Sequence, residues 1–152
     1  VYEQLLSRID LSQYKRIDVI CGMYDKKYEM IKHRYREHAN VVVHQAVEDI
    51  EKYMQEADMA VSAGGFTLYE LCACGTPAVS FSLADNQLCN VRKFHADQMI
   101  EYAGDARFDP VAEKISACLE KYRCDYKERR RSLKMQQLAD GRGAERIAKA
   151  LL

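Results

Sequence analysis

The chain has 152 residues, 48% of them hydrophobic, and its 23 Lys and Arg are balanced by 23 Asp and Glu. That length supports a single domain with a substantial core, and the zero net charge argues against a general nucleic-acid or anionic-membrane binder. No apolar run approaches the roughly 18 residues a membrane span needs. The opening Val1-Tyr2-Glu3-Gln4 has neither an initiator Met nor a signal peptide's basic and apolar regions, so the chain reads as a single cytoplasmic domain cut from a longer protein.

In chain order, Leu5, Leu6 and Ile9 form one helical stripe within the first ten residues, and Arg16-Ile17-Asp18-Val19-Ile20-Cys21 reads as a short strand stopped by Gly22. A charged helix over 25–38, carrying Tyr28, Ile31 and Tyr35, leads to the β-branched run Val41-Val42-Val43-His44, a buried strand. Next come a helix near 48–56, a strand at Asp58-Met59-Ala60-Val61-Ser62, the tight loop Ala63-Gly64-Gly65, and a helix over 66–74. That helix turns Leu68, Leu71 and Cys72 inward and ends at Gly75. Pro77 opens a strand over 78–83, after which Asp85 caps a helix running to about Tyr102. Ala106-Arg107-Phe108 is extended, and Asp109-Pro110 is an N-cap with Pro at the first helical position. Helices near 110–123 and 126–139 follow, and Gly141-Arg142-Gly143 precedes a last one over 144–152. Short apolar strands alternating with helices give an α/β, three-layer, Rossmann-like parallel sheet.

The six cysteines, Cys21, Cys72, Cys74, Cys89, Cys118 and Cys124, mostly sit inside apolar patterns and read as reduced, small hydrophobes. Cys72-Ala73-Cys74 has no second pair or His at zinc-ligand spacing, so no metal is expected. The histidines at 33, 38, 44 and 95 are scattered and read as surface or helix-edge residues. Arg129-Arg130-Arg131 has Asp125 and Glu128 one turn away and no accompanying aromatic series, which makes it a solvated helix face.

Ligands bind parallel sheets at the carboxyl ends of the strands, where loops enter helix N-termini. Three loops qualify: Gln45-Ala46-Val47, 62–67 and 84–87. In the middle one, Gly64 and Gly65 permit close approach of a phosphate and Thr67 adds a hydroxyl, although paired glycines also serve plain close packing. Glu70 stands one turn into the helix, either placed to accept hydrogen bonds from sugar hydroxyls or simply solvated. In Asp85-Asn86-Gln87, capping accounts for Asp85 but not for Asn86 and Gln87, and Asn90 follows one turn later on the same side.

Residues 58–90 carry Ser62-Ala63-Gly64-Gly65-Phe66-Thr67-Leu68-Tyr69-Glu70, Gly75-Thr76-Pro77 and Ala84-Asp85-Asn86-Gln87. In these the chain resembles the donor-binding, C-terminal half of GT-B nucleotide-sugar enzymes. The likeness includes MurG-type N-acetylglucosaminyltransferases and is greatest to the UDP-sugar hydrolase of pseudaminic acid biosynthesis and related spore-coat polysaccharide proteins. The ending Asp140-Gly141-Arg142-Gly143-Ala144-Glu145-Arg146 is similar to theirs. The resemblance implies that backbone groups of Ala46 and Val47 meet uracil and that Gly64, Gly65, Phe66 and Thr67 cradle the diphosphate beside Ser62. It places Glu70 on the ribose hydroxyls, and Asn86 and Gln87, with Asn90, toward the sugar.

The chain departs from the family at Phe66, where Ser or another small residue is usual. It also begins after the point where the family's domain has its first strand and Gly-rich turn. The exposed sheet edge expected from that absence predicts self-association.

The resemblance implies a UDP-sugar enzyme of bacterial surface-polysaccharide or nonulosonic-acid biosynthesis that hydrolyses the sugar–UDP bond. The catalytic base would lie in an N-terminal GT-B domain of the same protein, and no histidine here matches its role. A glycosyltransferase would use the same donor site, and a non-catalytic nucleotide-binding or interaction module is the alternative of another class. No Asp-x-Asp metal motif occurs and no cofactor is expected; the absence of GxGxxG after a strand sets aside a dinucleotide oxidoreductase.

Overall fold

Each short apolar run between charged segments is a strand, and every strand pairing is parallel. A computed structural model describes the backbone of residues 1–124 and 128–151 and the side chains of 1–122 and 133–151. The elements in order are α1 (Tyr2–Leu6), β1 (Ile17–Cys21), α2 (Tyr28–Arg34), β2 (Val41–Gln45), α3 (Ile50–Glu56), β3 (Ala60–Ala63) and α4 (Thr67–Cys74). They continue with β4 (Ala78–Ser82), α5 (Asp85–Ala96), β5 (Ile100–Asp105), α6 (Val111–Cys124), α7 (Glu128–Leu138) and α8 (Gly143–Leu151). Arg129-Arg130-Arg131 and Cys124 lie outside the described side chains.

Helices cover both faces of the strands. Leu68 and Leu71 of α4, Val91 and Phe94 of α5, Met54 of α3 and Met135 of α7 share one cluster with Ala78 and Ile100. On the other side, Leu5 of α1 and Val111, Ile115 and Leu119 of α6 pack on Val79, Phe81 and Ala103. Neighbouring β4 residues thus point to opposite layers, and all five residues of that strand are buried. Full burial of Leu68 or Leu71 is worth about 1.5–3 kcal/mol each. A third cluster joins Leu6 of α1 to Ile31 of α2, Tyr35 at the C-cap of that helix, and Val41 of β2. The short α1 therefore bridges two clusters, through Leu5 on one side and Leu6 on the other.

The single sheet expected from the sequence is divided into β1–β2 and β3–β4–β5. The crossover from β1 to β2 runs through α2, on the side of α1; those from β3 to β4 and β4 to β5 run through α4 and α5, on the opposite side. Parallel crossovers are right-handed, so helices on opposite faces make the strand order grow in opposite directions. The direction therefore reverses between the two sheets, and among the described residues no strand pairs one with the other. A topological switch point of this kind is where open α/β sheets form their ligand crevice.

The largest departure from the sequence expectation is at the end of α5. The helix stops at Ala96; of the residues expected to extend it to Tyr102, 97–99 make the helix ending and Ile100 to Tyr102 begin β5. Gln98 takes a left-handed backbone with φ 58°, its N–H donates to the His95 carbonyl and the Met99 N–H donates to the Phe94 carbonyl. This is a Schellman ending without glycine, so the usual signal is missing. Residues 106–108 form a turn over Asp105 rather than an extended piece: the Phe108 and Asp109 N–H groups both donate to the Asp105 carbonyl.

Two expected caps also differ. Ala84 is the N-cap of α5 and makes no side-chain cap bond, while Asp85, the first helical residue, is paired with Arg107 at 2.6 Å. The Asp109 carboxylate accepts from the Asp105 N–H and from Lys114, both at 2.8 Å, and caps nothing in α6. In each case other partners take the carboxylate: Arg107, from the turn after β5, for Asp85, and the Asp105 N–H with the Lys114 side chain of α6 for Asp109.

Candidate functional site

The loops after β3 and β4 are brought together by the register Ala63↔Phe81. The Gly64 N–H donates to the Phe81 carbonyl at 2.8 Å, which lays the glycine turn against the start of α5. A Cβ on Gly64 would lie 2.1 Å from Cγ1 of the buried Val91 and 3.5 Å from Cβ of Gln87, so this glycine is required by packing. A Cβ on Gly65 would meet nothing within 4 Å. The two glycines therefore divide the alternatives the sequence left open: Gly64 serves close helix packing, and Gly65 leaves open space beside the backbone.

Phe66 is the N-cap of α4, in helical conformation and without a side-chain cap. Among the described residues no protein group accepts from the Phe66 or Thr67 N–H, and the Thr67 hydroxyl has no partner. These are the first-turn donors that a helix cannot satisfy itself, carried at the positive end of its dipole. The Phe66 ring is 87% exposed and leans on Tyr69, with centroids 6.5 Å apart; Tyr69 in turn meets Phe94 edge-on at 5.1 Å. With Leu68, Leu71 and Cys72 buried, helical spacing puts Phe66, Thr67 and Glu70 on the outward face. The Glu70 carboxylate is exposed and, among the described residues, makes no ion pair or hydrogen bond. Ser62 is half-buried at the end of β3, and its hydroxyl donates to the Ala63 carbonyl at 3.1 Å.

At the start of α5, the Gln87 side-chain carbonyl accepts the Leu83 N–H at 2.8 Å, leaving its amide NH2 as the free end. Asn86 is exposed, Asn90 is half-buried one turn on, and among the described residues neither side chain has a protein partner. Both lie on one flank of the buried stripe of Val91 and Phe94.

Ala46 and Val47 follow β2, in the other sheet, and among the described residues no hydrogen bond or ring contact joins them to the glycine turn. Ala46 holds a positive φ of 51°, a conformation that costs a non-glycine residue about 1–2 kcal/mol. Its N–H donates to the Cys21 carbonyl at 2.9 Å, and Gln45 Nε2 donates to the Met23 carbonyl at 3.1 Å, which ties the loops after β1 and β2 together. The Ala46 N–H is thus consumed, whereas the Val47 N–H has no partner among the described residues. A shallow, open groove of about 460 Å³ between Arg16, Tyr53 and Glu56 meets the expected site only at Val47. The chemistry of the switch point is therefore on an open edge rather than in a closed cavity.

Sequence reasoning missed two polar groups. Half-buried His44 is the exception among the histidines: its Nε2 lies 2.7 Å from Oδ1 of Asp18, while its ring meets Tyr53 edge-on. A lone Asp inside the apolar run of β1 was the available signal, since a charge in a covered strand needs a partner. The second group is the Asp105–Arg107–Asp85 chain across the turns after β5 and β4. The Arg107 guanidinium, helped by the Arg107 N–H, holds the Asp105 carboxyl down to about 2. Nothing in the local pattern pairs residues 85 and 107, which meet only through the register of β4 and β5.

Burial pushes the Cys72 thiol up to about 11, the mark of a packing residue rather than a nucleophile. No described helix is long and apolar enough to cross a membrane. No curated protein is similar enough to the chain to be matched. The family model of the glycosyltransferase family 28 C-terminal domain, by contrast, matches residues 3–147. That match takes in every strand and the glycine turn at the switch point, and the chain belongs to this family: it is a Rossmann-like, nucleotide-sugar-binding module of glycosyltransferase type, the C-terminal half of a GT-B fold.

Proposed function

We propose that this domain holds the donor of a glycosyl-transfer enzyme, a UDP-sugar, across the carboxyl edge of β1–β2 and β3–β4. One observation carries the reading: the Phe66 and Thr67 N–H groups are unpaired at the start of α4, beside the open space at Gly65 and one turn before the uncommitted carboxylate of Glu70. Donors at a helix N-terminus suit a diphosphate, and a carboxylate at this distance along the helix suits the two ribose hydroxyls. Ala46 through its carbonyl and Val47 through its N–H supply the edge for uracil. Asn86, Gln87 and Asn90 face the sugar, and Ser62 and Gly64 shape the turn beneath.

In the reaction, the bond between the anomeric carbon and the β-phosphate oxygen breaks and UDP leaves with the electron pair. Its developing charge is stabilised by the amides and dipole of α4. An acceptor oxygen forms the new bond to carbon and gives its proton to a base. That base, with the acceptor site, belongs to a second domain, the N-terminal GT-B half of the same protein, which closes over the donor and excludes bulk water. Where the acceptor is water, the same steps hydrolyse the UDP-sugar; the run Ala84-Asp85-Asn86-Gln87 favours this version, and bacterial surface-polysaccharide or nonulosonic-acid biosynthesis as its setting.

Calorimetric titration of the chain with UDP, UDP-N-acetylglucosamine, CMP and NAD tests the donor site. Uridine ligands are expected to bind selectively, and Glu70→Ala to weaken them by about 1–3 kcal/mol through loss of charge-assisted hydrogen bonds. Equal binding of CMP, or affinity indifferent to Glu70, would overturn the assignment; no binding of any nucleotide would favour a non-catalytic interaction module.

A further inference from the structure

The Arg107 guanidinium is anchored at one end and extended at the other. Its Nε donates to Oδ1 of Asp105 at 2.9 Å, one terminal nitrogen donates to Oδ2 of Asp105 at 2.7 Å, and that same nitrogen reaches Oδ1 of Asp85 at 2.6 Å. Asp105 is itself fixed: it is buried, its N–H donates to Asp109, and the next turn is tied to β4 by the Ala106 N–H donating to the Ser82 carbonyl at 2.8 Å. Gly104, at φ 112°, leaves just enough room for the Asp109 carboxylate that completes this anchor. Asp85, in contrast, is 83% exposed at the side chain and supports no helix cap. An exposed ion pair is worth little to stability, so the geometry of this one matters more than its energy.

What it fixes is the first turn of α5. Behind that turn, Gln87 is closed onto the Leu83 N–H; in front, Asp85 is closed onto Arg107. Asn86 lies between the two clasps with its amide free.

We propose that Arg107 is a positioning residue for the sugar end of the donor site, acting through Asp85 to hold Asn86 and Gln87 at the orientation that meets the sugar. The inference rests on the donor-site reading above and adds to it a division of labour along the carboxyl edge. The α4 turn binds the nucleotide, and the β5–α6 turn, which touches no ligand, sets how well the sugar is recognised. Preorganised side chains lose less freedom on binding, and a clasp released on one side forfeits that advantage.

The test compares UDP with UDP-N-acetylglucosamine on the full chain by calorimetry, in wild type, Arg107→Ala, Asp85→Ala, the double variant and Arg107→Lys. Because Asp85 is exposed, Asp85→Ala reports on the clasp even if Arg107→Ala disturbs the turn around Asp105. Expected is unchanged affinity for UDP and a roughly 5- to 10-fold loss for the UDP-sugar in each single variant. The double variant should lose no more than either single one, since both break one link. Arg107→Lys, which is shorter and lacks the Nε donor that anchors the guanidinium to Asp105, should restore only part of the loss. Equal weakening of UDP and UDP-sugar would make Arg107 a merely structural residue, and indifference of both ligands to Asp85→Ala would overturn the proposal outright. If wild type binds neither ligand, it is the donor-site reading that fails, and the positioning role falls with it.

Discussion

The β3–α4 and β5–α6 turns occupy the same topological position, strand end to helix start on one edge of the same sheet, yet they differ in how their polar groups are used. After β5, Asp105, Arg107, Asp109 and Lys114 satisfy one another, leaving the turn closed on itself. After β3, two amides, a hydroxyl and the Glu70 carboxylate are left without protein partners. A binding site is therefore marked less by where a loop lies than by which of its donors and acceptors the protein leaves unused. Both turns also depend on a glycine, but for different reasons: after β5, Gly104 through its φ of 112° and the nearby Asp109 carboxylate, and after β3, Gly64 through its contact with α5.

The comparison breaks most sharply at that glycine. Alanine at Gly64 forces its Cβ into Val91, a fully buried side chain, and should destabilise the chain by about 1–3 kcal/mol in urea unfolding. Gly65→Ala, with empty space around it, should stay within about 0.5 kcal/mol of wild type. Similar losses at the two positions would show that the turn is held by backbone conformation rather than by the contact with α5.

A smaller effect tests the closed turn through pH. The Asp105 carboxyl is held at about 2 in the folded chain by Arg107, below its ordinary value near 3.9 when unfolded. A depressed carboxyl stabilises the fold above its unfolded pKa, and that contribution is lost as pH falls from about 4 toward 2. Asp109, Asp140 and Glu145 are lowered too, each by its own basic partner, so wild type loses stability through several groups at once. Asp105→Asn isolates one of them: it should be less stable than wild type at neutral pH, with the gap closing below about pH 4. A gap of constant size down to pH 2 would mean that the asparagine disrupts packing and that charge has little to do with it.

Legibility follows the same division. Strands β1 to β4, the inward face of α4 and the glycine turn were readable because period, β-branching and Gly65's local freedom are local properties of sequence; β5 was not, being read as the end of a helix. The division of the sheet was not, since it depends on which strands pair across long intervals. Neither was the Arg107–Asp85 pair, whose members are 22 residues apart and meet only because β5 lies beside β4. At the site itself, the sequence indicated a helix start after the two glycines, where α4 begins, but could not distinguish a glycine needed for packing from one that opens space.

The clearest case is the ending of two neighbouring helices, and it gives the smallest effect that can be measured. Helices α4 and α5 both close with the same pair of backbone bonds: Thr76 N–H to Leu71 carbonyl and Gly75 N–H to Cys72 carbonyl in one, Met99 to Phe94 and Gln98 to His95 in the other. The left-handed residue is Gly75 with φ 71° in the first and Gln98 with φ 58° in the second, which is why the first ending was legible and the second was read as continuing helix. Met99 and Phe94 supply the second ending from the core, where both are buried in one cluster, so tertiary packing selects a backbone that local preference disfavours. Gln98→Gly should therefore stabilise the chain, by about 0.5–1 kcal/mol, relief of left-handed strain being partly offset by the greater freedom of glycine in the unfolded chain. Gly75→Ala should cost at least as much in the opposite direction, because the new Cβ is strained at its φ and also meets the Gln136 side chain. If Gln98→Gly instead destabilises, the helix end is held by the glutamine side chain rather than by burial of Met99 and Phe94. Truncating Met99 would then leave the α5–β5 boundary where it is; if the core sets the boundary, it would fray the start of β5 in amide hydrogen exchange.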